Sequence, residues 1–92
     1  MKIEWLPEAV ADRFEQLEHI AEANPIAAIS QDELIEKQVD SLIGKLPISG
    51  RTGRKLGTRE LVISKTPFIA IFRTNGKAIE ILRLLHSSQE WP

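Results

Sequence analysis

The sequence has no cysteine and no tyrosine, and its 92 residues include only two tryptophans and three phenylalanines. Without cysteine, neither disulfides nor thiolate metal sites are available. No apolar run approaches the ~18 residues of a membrane-spanning helix. The opening MKIEWLPEA lacks the apolar core of a signal peptide, so a reducing cytoplasm is the expected compartment. Internal repeats, low-complexity tracts and interdomain linkers are also absent, and residues 1–92 read as one small domain. With 42% hydrophobic residues, a chain of this size buries roughly 60–65% of its unfolded surface, enough for a single core.

An excess of charge of either sign is missing too, but only in the sum. The formal net charge is −1, whereas residues 1–43 hold three basic and ten acidic residues and residues 44–92 hold nine basic and three acidic ones. The halves therefore carry −7 and +6. Such a division suggests a basic surface that meets nucleic acid or an acidic protein. The alternative is that a compact fold brings the halves together and they neutralise each other.

Lys2-Ile3-Glu4-Trp5-Leu6 alternates and predicts a short first strand. Pro7 suits the first turn of a helix. Val10, Phe14, Leu17 and Ala21, with Ile20 beside them, then mark the apolar stripe of a helix ending near Ala23. Glu8, Asp12, Glu15, Glu18 and Glu22 fall on its expected outer face, and His19 reads as a surface histidine. Asn24-Pro25 supplies an N-cap and a first-turn proline for a second helix, expected to run to about Ile43. Its stripe would be Ile29, Leu34 or Ile35, Val39, Leu42 and Leu46, with Gly44 and Pro47 ending it. Two helices joined so tightly predict a helical hairpin packed on a sheet.

Residues 47–57, PISGRTGRKLG, form a Gly-rich basic stretch with Arg51, Arg54 and Lys55. The order is not GxxxxGK[ST], so this is not a P-loop. It reads as a loop that is either simply solvated or able to grip a phosphate backbone or an acidic peptide. Thr58–Ile63 predicts a strand with Arg59, Leu61 and Ile63 on one face and Glu60 and Val62 on the other.

Between FIAIFRT and KAIEILRLL stands Asn75-Gly76, the strongest short-range hairpin signal. With those two residues as the loop, Thr74 faces Lys77, Phe72 faces Ile79 and Phe68 faces Arg83. One face would carry Phe68, Ala70, Phe72, Ile79 and Ile81 with Arg83 at its far end. The other would carry Ile69, Ile71, Leu82 and Leu84, with Arg73, Glu80 and His86 among them. Both faces are largely apolar, so both should be at least partly covered. The expected class is α+β, in the order strand, helix, helix, strand, strand, strand, with a helical hairpin packed on a small, mainly antiparallel sheet.

GTRELVI, an aromatic-rich strand ending FRT, a strand ending ILRLLH and the tail SSQEWP, together with KIEWLPEA and GRTGR, make an ordered set covering nearly the whole chain. This set resembles the RelE/ParE superfamily of bacterial toxins and lies closer to the ParE branch. The resemblance implies a toxin of a type II toxin–antitoxin module, bound and neutralised by a cognate antitoxin, with no cofactor or metal. ParE-like members poison DNA gyrase. RelE-like members are ribosome-dependent mRNA endonucleases, and metal-free RNA cleavage needs cations for the developing phosphorane charge and a proton donor or acceptor. Under that alternative Arg59, Arg73 and Arg83, with Lys55, supply the cations and His86 the acid or base.

Two departures favour the ParE branch. The arginine that several nucleases carry early in the strand beginning Pro67-Phe68-Ile69-Ala70 is absent, and so is any tyrosine or cation after His86. In the ParE-like reading, Arg51, Arg54, Lys55, Arg59, Arg73, Arg83 and Trp91 are structural or partner-binding groups, with Trp91 docking the tail. An extended or helical antitoxin segment with acidic and aliphatic residues is then expected on the apolar, partly basic face of the hairpin. Outside the toxin readings stands a small binding module whose basic face holds an acidic protein or nucleic acid.

Overall fold

A computed structural model describes residues 2–44 and 51–91. Strand β1 (Lys2–Trp5) leads into helix α1 (Pro7–Ala23), which turns at one residue into α2 (Pro25–Asp40) and a 3-10 turn over Ser41–Gly44. Strands β2 (Arg51–Thr52), β3 (Arg59–Val62), β4 (Phe68–Thr74) and β5 (Ala78–His86) follow. They form one five-stranded sheet in the order β1-β5-β4-β3-β2. Only the β1–β5 pair is parallel, since the helical hairpin carries the chain away and four further strands bring it back. The architecture is the expected α+β one with an added strand: Arg51–Thr52 was read as loop, and it pairs with Thr52↔Arg59 and Arg51↔Glu60. The predictions for Leu46 and Pro47, and the first four residues of the basic stretch, lie outside the described residues.

The helix punctuation follows the sequence. Pro7 and Pro25 occupy first-turn positions, and Asn24 serves both helices. Its amide closes α1 on Ile20, while its Oδ1 accepts the Ala27 amide at 3.1 Å. The apolar stripes were right only in part. Alpha-helical spacing in α1 buries Ala9 and packs Leu17 and Ile20 on the core, leaving Val10 and Phe14 largely exposed. Asp12, expected outside, lies three residues from Ala9 and faces inward. In α2 the buried residues are Ala28, Ile35 and Val39, followed by Leu42, and Ile29 is exposed. The regular helix ends at Asp40, three residues early, and passes into the 3-10 turn.

The core lies between the helices and one face of the sheet: Ile35, Val39 and Leu42 against Phe68, Ala70, Phe72, Ile79, Ile81 and Leu84. The opposite face is apolar too, with Ile69, Ile71 and Leu85 buried. The hairpin register differs from the expected one in two steps. The turn is Asn75–Ala78 with Gly76-Lys77 at its centre. Gly76 takes φ 86°, no other turn residue has positive φ, and Asn75 Oδ1 accepts the amides of Lys77 and Ala78. A I′ turn needs positive φ at both central residues, so the turn is not of that type. Phe72 consequently faces Ile81 instead of Ile79, and the even shift leaves the faces unchanged. A bulge then intervenes, because Ile71 faces Arg83 while Phe72 faces Ile81, leaving Leu82 as the extra residue. Past it the alternation inverts. Leu84 and His86 move to the helix side, and Arg83 moves to the other face.

Candidate functional site

The charge division suggested a basic surface, although the expected register already put Arg83 on one face of the hairpin and Arg73 and His86 on the other, and the sheet divides these residues differently. Arg59 faces Phe72 and His86 faces Phe68, which puts both on the helix side. Arg73 faces Glu80 and Arg83 faces Ile71, on the far side. A groove of about 730 Å³ opens there, walled by Arg73, Arg83, Leu82, Lys55, Leu56 and Trp91, with Leu6–Glu8 at one end.

Carboxylates occupy the arginines of this groove. Arg73 Nε donates to Glu80 at 2.8 Å. Arg83 makes a two-pronged contact with Asp12, Nε–Oδ2 2.7 Å and Nη2–Oδ1 3.0 Å, with Glu8 at 3.8 Å. Asp12 also accepts the Leu84 amide at 2.9 Å, beyond the last β5 residue that β1 pairs. The hydrogen bond to Asp12 raises the Arg83 pKa above its ordinary value, outweighing desolvation, which lowers it. This pair joins the acidic and basic halves of the chain. They neutralise each other here, as one of the two readings of the charge division expected.

The basic loop is tied down in the same way. Glu60 is 3% exposed on the far face and accepts from Arg51 Nη2 at 3.0 Å and from the Arg54 amide at 3.0 Å, with Arg54 Nε at 3.3 Å. A buried carboxylate needs such partners. Arg54 Nη1 reaches on to the Gln89 carbonyl at 2.6 Å, and the Lys55 ammonium lies 4.1 Å from the Trp91 ring centre. Trp91 is thus half-buried against the loop, where the sequence reading had docked it on the sheet. Gln89 completes the latch: its Oε1 accepts the His86 amide and the Gln16 side chain.

His86 packs edge-on to Phe68 with ring centres 6.2 Å apart, and its Nδ1 accepts the Ser88 amide at 3.2 Å. The Ser88 hydroxyl lies 2.8 Å from the same nitrogen. The histidine therefore holds the start of the tail and does not meet Arg73 or Arg83 across a common space. Sequence reasoning singled out Arg51, Arg54, Lys55 and Trp91 but missed Glu60 and Gln89, which organise them. An acid in a strand that follows Arg51 and Arg54 was the available signal for Glu60. For Asp12 it was the three-residue step from Ala9. Among the described residues no group of His, Cys, Asp and Glu could hold a metal ion.

Fold and geometry can be set against known proteins. The family model described as "ParE toxin of type II toxin-antitoxin system, parDE" matches residues 3–91. Y4kP of Sinorhizobium fredii (strain NBRC 101917 / NGR234), whose name carries a provisional toxin assignment, is 36% identical over 91 residues. That match spans 99% of this chain and 93% of the relative. A solved structure described as a chromosomal ParDE TA system from P. aeruginosa superposes with a TM-score of 0.84 at 30% identity, covering 94% of this chain and 95% of that one. A five-stranded mixed sheet under a helical hairpin, matched over nearly its full length in sequence and in structure, places the chain in the ParE toxin family of type II toxin–antitoxin systems.

Proposed function

We propose that the protein arrests growth by poisoning DNA gyrase, in the cytoplasm, and that a cognate antitoxin neutralises it. Family membership supports the toxin and its antitoxin. The observation that carries the choice of target is the separation of the residues a nuclease would need. Cleaving RNA without a metal requires cations and a proton-transfer group converging on one phosphate. Here Arg73 and Arg83 are held by Glu80 and Asp12 on one face of the sheet, while His86 and Arg59 lie on the other. Arginines already committed to carboxylates have little to offer a developing phosphorane. Gyrase poisoning requires no proton transfer from the toxin and is compatible with this arrangement.

Inducing the toxin alone tests the reading. Cells should filament and mount a DNA-damage response before protein synthesis stops. Early translational arrest, with mRNA cut at ribosome-bound codons, would reassign the protein to the nuclease branch.

A further inference from the structure

The contacts that hold the arginines of the far-face groove leave one of them partly unused. Arg83 is taken up by Asp12 through two nitrogens. Among the described residues Arg73 meets only Glu80, and only through Nε, with its side chain half exposed. Its two terminal nitrogens are therefore open to the groove, and a guanidinium edge of that kind takes a carboxylate in two parallel bonds. Apolar groups stand around it. Leu82 is the extra residue of the bulge, Leu56 is fully exposed in the β2–β3 connection, and Trp91 lies against Lys55. Leucine and tryptophan side chains grouped beside charge form the kind of patch that meets other proteins.

The chemistry of the occupant follows from the charge and the size of the groove. Glu8, Asp12 and Glu80 stand in or beside it, against Arg73, Arg83 and Lys55. A nucleic-acid backbone meets nearly balanced charge there, so repeated phosphates gain little. A single carboxylate at Arg73, flanked by large apolar side chains, fits. Glu8, at the Leu6–Pro7 end, disfavours a second one. The groove is also short, and its walls mix charge with leucine and tryptophan. It offers too little apolar area to order a segment that is unfolded beforehand. A loop of a folded protein, already held in shape, suits it better.

We infer that the far-face groove is the surface that meets gyrase, and that gyrase supplies a preformed loop with one carboxylate on Arg73 and apolar side chains on Leu56, Leu82 and Trp91. This rests on the proposed function and adds the toxin's side of the contact.

Two measurements test it. The first is inhibition of purified gyrase by the full chain and by two variants, Leu56→Asp and Arg73→Lys. Lysine keeps a partner for Glu80 but has no second guanidinium edge. Each variant should inhibit supercoiling about tenfold more weakly than the parent. Thermal unfolding should be unchanged, because Leu56 is exposed and the Glu80 pair survives. Ile29→Ser, on the helical layer, should inhibit as the parent does. Full inhibition by both groove variants overturns the inference. So does a pair of variants that still inhibit gyrase but are no longer neutralised by the antitoxin, since the groove would then belong to that partner.

The second measurement is titration of the full chain with a cyclic peptide presenting Leu-Asp-Leu and with a twin carrying Asn for Asp. The acidic peptide should bind about tenfold more tightly, and Arg73→Lys should remove the difference. Equal binding of the two peptides to the parent overturns the carboxylate assignment. A parent that leaves supercoiling untouched removes the gyrase reading and with it gyrase as the occupant, while the titration still decides what chemistry the groove takes.

Discussion

Asp12 is the residue on which the two layers hinge, since it accepts two bonds from Arg83 and one from the Leu84 amide. Asp12→Ala leaves a half-buried guanidinium and a strand amide without an acceptor, and should destabilise the fold by about 2–4 kcal/mol. Denaturant unfolding of the two proteins reads that difference, and Asp12→Asn should restore part of it. The Arg83 pKa is raised, so its stabilising contribution is fully present below the unfolded value and is lost only as pH climbs through the higher folded one. The difference between parent and variant should therefore be flat between about pH 6 and 9, remote from ordinary carboxylate and guanidinium titration. Phe72, 3% exposed and facing Ile81 in the core, gives a second test. Phe72→Ala should lose about 3–5 kcal/mol, enough to unfold much of so small a domain. A loss below about 1 kcal/mol would mean that the ring is not in the core.

Secondary elements show what the sequence discloses and what it hides. Pro7, Asn24 and Pro25 mark the helix ends directly, because a missing amide or a capping oxygen acts locally. The faces of α1 are hidden, because Phe14 is more apolar than Ala9 yet small Ala9 is the residue that lets the helix approach the sheet. The bulge at Leu82 is hidden as well: alternation looks continuous through ILRLL, and only pairing with β4 and the Asp12 contact at the open edge select the extra residue. Its consequence is that His86 leaves the face of Arg73 and Arg83 joins it, so the candidate site was legible as a set of residue types but not as an arrangement. In the β2–β3 connection, Gly53 is legible only from its contacts. A Cβ there would lie 2.7 Å from the Thr58 carbonyl, within a turn closed by the Gly53 amide bonding to Thr58 at 2.8 Å. Gly53→Ala should destabilise by about 1–3 kcal/mol. It should also loosen the Arg54–Gln89 latch, seen as faster amide exchange at Gln89.

At the scale of the whole molecule, the −7 and +6 halves become an acidic helical layer and a sheet whose arginines are largely neutralised from within. Among the described residues an apolar groove between the helices stays open, flanked by exposed Phe14 and Ile29. Among the described residues no helix is long and apolar enough to cross a membrane. The central claim is that toxicity acts on gyrase and needs no proton transfer by His86. The most direct test is DNA supercoiling by purified gyrase with the toxin and with its His86→Gln variant, whose amide oxygen can still accept from Ser88. The expected result is inhibition by both, equal within a few-fold at matched folded concentration. Supercoiling untouched by either protein would contradict the claim, and inhibition by the parent that disappears in a stably folded His86→Gln would contradict its mechanism.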